Sequence, residues 1–135
     1  MRDMDKWLGD GGMPILGEVG LDLDQYGQGW VSGTWTPTNK ALNPAGGLHG
    51  GVQTMVHDAL QNFAASAALE KGEFGTTLEL KVSMQRGGTD QQVTVRGEVV
   101  RITRSVAMLE SWVRNLEGEV ISHGTGTMLL RRRQA

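Results

Sequence analysis

Over residues 52–68, apolar side chains recur every three or four positions: Val52, Met55, Val56, Ala59, Leu60, Phe63, Ala64, Ala67 and Ala68. That is helix period, held for about five turns. The apolar face is wide and rich in small side chains, so such a helix must be buried on most of its sides. Lys71-Gly72 follows as a stop, glycine being the usual residue in the left-handed position after a helix. A buried helix needs something wrapped around it, and the rest of the chain reads as sheet. From 15 to 38 the pattern has period two. Val19, Leu21 and Leu23 alternate with Gly20, Asp22 and Asp24; past a turn at 26–29, Trp30, Ser32, Thr34 and Thr36 alternate with Val31, Gly33, Trp35 and Pro37. Beyond Gly75 four more strands are predicted. They are TTLELKVSM, with Leu78, Leu80, Val82 and Met84 on one face, then QVTVRGEVVRI, VAMLESWVRNL and VISHGTGTMLLRRR. Turn signals at 87–90, 103–105 and 116–119 divide them.

The predicted order is β-β-α-β-β-β-β. Hairpin-length turns make neighbouring strands antiparallel. An antiparallel sheet with one helix on one face is an α+β architecture. The expected packing is a sheet of five to six strands around one long central helix. Residues 2–9 (RDMDKWLG) are predicted as a short amphipathic helix with Met4, Trp7 and Leu8 on one side. The four tryptophans are expected mostly as core anchors, with one or two able to line a pocket.

Length and composition narrow the function classes. A chain of 135 residues fits one domain, 1–135. Its net charge of −2 argues against a general electrostatic hold on nucleic acid or membrane. No cysteine is present, which removes disulfides, thiolate ligands and a Cys nucleophile. No apolar run reaches the length of a signal peptide or a membrane span. A cytoplasmic protein is expected. The three histidines are scattered without a ligand pattern, so no metal and no cofactor is expected; His57 and His123 read as structural or exposed.

Chemistry concentrates where the helix begins, in NPAGGLHGGVQTMVHDAL, residues 43–60. The first amides of a helix have no intrahelical acceptor, and the helix dipole makes that end partly positive. Glycine lets a ligand approach them closely. The Gly50 amide is therefore placed to hold a carbonyl oxygen that turns negative during acyl transfer. Asp58 is a carboxylate on a largely apolar helix, a candidate general base or nucleophile. Eight helical residues separate the two groups, roughly 12 Å, which an Asp side chain does not span. If both act on one substrate, they must come from two antiparallel copies of the helix across a two-fold axis. The spacing thus predicts a homodimer with two shared sites.

Asn43-Pro44-x-Gly46-x-x-His49-Gly50-Gly51, followed by Asp58, resembles the motif of hotdog-fold acyl-CoA thioesterases of the phenylacetate-degradation type. The motif matches at full spacing, and the predicted element order extends the resemblance over nearly the whole chain. The resemblance implies hydrolysis of a small or medium acyl-CoA to free acid and CoA. It implies that the Gly50 amide polarises the thioester carbonyl, with Gly51 beside it against the substrate. Asp58 of the partner subunit would activate water or attack directly. Asn43 would position the water or the carboxylate, and His49 would support the thioester or the departing thiol. The family's Ser or Thr at the next strand matches Thr77, with Thr76 as the alternative. Its Tyr-x-Arg-Pro is Met84-Gln85-Arg86-Gly87 here, so Arg86 is the match for contact with CoA phosphates, without the Tyr and Pro. His57 stands where the family has Leu or Met, which implies an altered pocket wall. Homodimers would pair again into homotetramers. Two other readings differ in class: a hotdog enoyl-thioester hydratase or dehydratase, and a non-catalytic acyl-CoA binding protein. The hydratase signature has Asp five residues before His, whereas here Asn43 lies six before His49.

Overall fold

The computed structural model describes residues 2–87 and 91–134. Its long helix, α2, runs Gly50–Ala68, and six strands surround it: β1 Leu21–Gly27, β2 Trp30–Trp35, β3 Phe74–Met84, β4 Val93–Ile102, β5 Val106–Arg114 and β6 Val120–Arg131. They form one antiparallel sheet in the order β1-β2-β4-β5-β6-β3. The predicted α+β arrangement is therefore the observed one. The turn expected at 87–90 falls, for 88–90, outside the described residues.

Helix α2 is buried on nearly all sides, as its small side chains require: Val56, Ala59, Leu60, Ala64, Ala65 and Ala67 face the sheet or its flanks. Gly97 of β4 lets the helix come close, because the Leu60 carbonyl lies where a Cβ at 97 would project. Period-two burial is cleanest in β5, where Ala107, Leu109 and Val113 point inward.

Several features depart from the sequence reading. Residues 14–18 form a short helix, α1 (Pro14–Glu18), instead of continuing the period-two pattern. Pro14 occupies its first turn, where a missing N–H costs nothing. Helix α2 ends at Ala68, ahead of the Gly72 stop, which takes its positive φ of 88° in the following turn. The amphipathic helix expected over 2–9 is only a 3-10 turn, Asp5–Trp7. Of the tryptophans only Trp35 is a true core anchor, fully buried with its Nε1 donating to the Val19 carbonyl at 2.8 Å. Trp7, Trp30 and Trp112 are half-buried and each lies under a cationic side chain. Finally, the apolar face of β3 is covered only in part: Leu80 and Val82 are half-buried, but Leu78 is 59% exposed and Met84 45%. β3 is an edge strand eleven residues long, with only β6 beside it.

Candidate active site

The loop 43–49 is built by its own side chains. Asn43 Oδ1 accepts from the amides of Ala45 (2.9 Å) and Gly47 (3.1 Å), while the Asn43 amide donates to the Gly47 carbonyl. Gly46 turns the chain with φ of 87°. His49 then caps α2: its Nδ1 accepts from the Gly51 amide at 3.0 Å. In the neutral ring the proton therefore sits on Nε2, which is left as a donor. This leaves the Gly50 amide without an acceptor among the described residues. A Cβ at Gly51 would press on the His49 ring at 2.9 Å, so a side chain there would push the capping ring aside.

Two turns along the helix, Asp58 is half-buried and held from β3. Its Oδ1 accepts from the Thr77 hydroxyl at 2.8 Å and lies 3.4 Å from Asn62 Nδ2. Asn62 also donates to the Asp58 carbonyl (3.0 Å) and sits 3.3 Å from Thr77 Oγ1. The carboxylate thus has one oxygen fixed by two neutral donors. Its Oδ2 has no partner among the described residues and is the oxygen available for a proton or an electrophile. Thr76, the alternative to Thr77, is exposed and turned from the helix. Beside Asp58 opens a cavity of about 270 Å³ with mostly apolar walls.

The structure joins Asp58 to Thr77, and Gly50 and Gly51 to His49, but keeps the two clusters apart on α2, as the helix spacing requires. Asn43 shapes the loop through Oδ1, and its Nδ2 remains unengaged among the described residues. Arg86 does not reach either cluster; it pairs with Glu119 at 2.6 Å, both exposed. Asn62 was missed by the sequence reading. Its signal was position, four residues after Asp58 and so on the same helix face.

His57 is not a pocket-wall residue. It is fully buried, its Nδ1 2.7 Å from Ser111 Oγ of β5 and its Nε2 2.7 Å from Ser122 Oγ of β6. Gln61 Nε2 donates to the same Ser111 hydroxyl at 2.9 Å. Gly124 and Gly126 of β6 clear the space: a Cβ at 124 would meet Ser111 Oγ at 2.6 Å and His57 Nδ1 at 2.8 Å. Burial, and secondarily the charge of His123, push the His57 pKa down to about 4. The imidazole is therefore neutral and rivets the helix to the sheet beside Asp58.

No family model matches the chain. A curated protein of Haemophilus influenzae named "Putative esterase" is 23% identical over 105 residues, 78% of this chain and 76% of that protein. A crystal structure of a thioesterase from Haemophilus influenzae superposes with TM-score 0.84 at 18% identity, covering 98% of this chain and 92% of that one. A "Hypothetical Thioesterase Protein with Coenzyme A" from Streptococcus pneumoniae superposes with TM-score 0.76 at 23% identity, over 85% of this chain and 91% of its own. These likenesses show the fold: a hotdog, its antiparallel sheet wrapped around one long helix. No helix among the described residues is long and apolar enough to cross a membrane.

Proposed function

We propose that this chain is an acyl-CoA thioesterase of the phenylacetate-degradation type, working as a homodimer with two shared active sites. The observation that carries this reading is the Asp58–Thr77–Asn62 cluster, a carboxylate with one oxygen unpartnered among the described residues, at the wall of a mostly apolar cavity. The esterase and thioesterase names of its relatives, and the coenzyme A in the Streptococcus pneumoniae structure, support it. In a dimer built through β3, two eleven-residue edges would pair, covering Leu78 and Met84 and removing two exposed strand edges. Each helix start would then face the partner's Asp58. Pairing of two such dimers into a tetramer and a cytoplasmic setting complete the proposal.

The chemistry follows from the groups. The thioester carbonyl accepts from the Gly50 amide at the positive helix end. Asp58 Oδ2 from the partner takes a proton from water as the hydroxide attacks the carbonyl carbon; in the alternative route it attacks that carbon itself, and water then hydrolyses the resulting anhydride to the free acid and the Asp58 carboxylate. The oxyanion of the tetrahedral intermediate is stabilised by the same amide. Collapse breaks the C–S bond; the departing CoA thiolate takes the proton that Asp58 accepted, which restores the carboxylate, while His49 Nε2–H hydrogen-bonds the sulfur. Thr77 and Asn62 fix the orientation of the carboxylate. Arg86 would contact CoA phosphate only after leaving Glu119.

Thiol release from a panel of acyl-CoA thioesters tests the reading. Asp58→Asn keeps the size of the side chain and removes the base. It should lower turnover by ~10²–10⁴-fold. An Asp58→Asn protein that turns over like the wild type would remove the carboxylate from the mechanism.

A further inference from the structure

The cavity beside Asp58 is walled by Trp7, Met13, Leu16, Met55 and Phe63. Two of these come from α1 and its approach, two from α2, and Trp7 from the N-terminal segment, which is firmly anchored. Gly9 exchanges both backbone hydrogen bonds with Leu23 of β1, at 2.7 and 2.8 Å. The Met4 amide donates to Tyr26 Oη at 3.1 Å, and that hydroxyl donates to Asp5 Oδ1 at 2.8 Å. Met4 itself is buried. Arg2 and Lys6 lie 4.8 and 4.6 Å from the centroid of the Trp7 ring, and Arg2 is in turn tied to the Glu73 carbonyl at 3.0 Å. The indole is thus held in place as a wall. Glycines let the segment fold down: a Cβ at Gly12 would press on Trp7 Cδ1 at 2.9 Å, and one at Gly11 would enter the Phe63 ring.

We infer that the N-terminal segment forms the acyl pocket of the proposed site, and that Trp7 and Phe63 select a bulky apolar acyl group over acetyl. The inference rests on the thioesterase reading for its substrate class. Three observations support it. The cavity's walls are apolar and aromatic, and Asp58 is the one ionisable side chain among them. Its volume of about 270 Å³ equals that of nine waters at ~30 Å³ each, room for an acyl tail of about eight heavy atoms. That accommodates a phenyl-bearing or medium straight chain. And Asp58 itself lines the cavity, so an acyl tail seated there would bring its thioester carbon towards the carboxylate.

The test compares acetyl-, hexanoyl-, octanoyl- and phenylacetyl-CoA in the intact protein, by turnover and, in the Asp58→Asn background, by calorimetric binding. The wild type should favour octanoyl- or phenylacetyl- over acetyl-CoA in kcat/KM. Trp7→Ala opens one wall, and the ratio of kcat/KM between the large and small substrates should fall at least tenfold, since each lost methylene contact is worth ~10-fold or more. Phe63→Leu, a smaller change, should shift the same ratio in the same direction. A Trp7→Ala protein with wild-type selectivity, or a wild type that prefers acetyl-CoA, overturns the inference. If no thioester is hydrolysed but Asp58→Asn still binds the larger esters more tightly, and loses this with Trp7→Ala, the thioesterase reading fails while the pocket stands. If the esters bind without regard to tail, the pocket fails too.

Discussion

Replacing His57 with Gln should flatten the acid dependence of stability. In the folded chain the buried imidazole titrates near pH 4, and in the unfolded chain it titrates near its ordinary 6.5. Between those values the unfolded state binds a proton that the native state refuses. Stability therefore falls as pH drops through 6.5 and levels off only below about 4. The slope approaches ~1.4 kcal/mol per pH unit, and the part lost between pH 7 and pH 4.5 comes to about 2.5 kcal/mol. The residue is fully buried, so solvent screening does not reduce this much. Urea unfolding at fixed protein concentration at both pH values measures it. Carboxylates titrate in both proteins and cancel in the comparison. Wild type should lose about 2–3 kcal/mol more than His57→Gln over that range. His57→Gln should also start lower at pH 7, by ~1–3 kcal/mol, because the Ser111 and Ser122 hydroxyls lose a partner. Equal acid losses in the two proteins would show that the imidazole is not held neutral, and the rivet between α2 and the sheet would have to be redrawn.

Other outcomes follow from single contacts. Thr77→Ala removes the 2.8 Å bond to the Asp58 carboxylate and should cut kcat ~10–100-fold, with Thr77→Ser recovering most of it; steady-state thiol release is the assay. Gly124→Ala drives a methyl group into Ser111 and His57 and should lower stability by ~1–3 kcal/mol in thermal unfolding. Leu78→Lys, on the exposed β3 edge, should leave the fold of one chain nearly unchanged, shift sedimentation toward the monomer and lower turnover with it.

The succession of elements along the chain and the long helix were legible because most elements carry one clear period. Residues 14–18 were not, because Ile15 and Val19 fit the alternation that follows, and only Pro14 signalled a helix start. The apolar residues of β3 read as one face of a strand, yet Leu78 on it is left 59% exposed by the described residues. Period marks a face that wants burial, not the molecule that buries it. Gly50 and Asp58 stood out because glycine at a helix start opens its unpaired amides to a ligand, and a carboxylate on an apolar helix is costly without a partner. Asn62 and Ser111 did not, since a polar side chain gains its meaning from a partner far away in sequence. His57 likewise makes sense only once β5 and β6 bring Ser111 and Ser122 to both ring nitrogens.

A site shared between two chains can be tested by mixing two inactive proteins. Gly50→Pro deletes the helix-start amide at a position suited to proline: it is the first helical residue, His49 before it is already extended at ψ of 129°, and an added Cβ would meet only Met84 Cε at 3.5 Å. Asp58→Asn deletes the base. Each homodimer then has two broken sites. A mixed dimer would join the intact amide of one chain to the intact carboxylate of the other in one of its two sites. Thiol release from octanoyl-CoA after co-refolding equal amounts should recover to about a quarter of wild type, half the dimers being mixed with one working site in two. A mixture that stays as inactive as its parents would contradict the shared site.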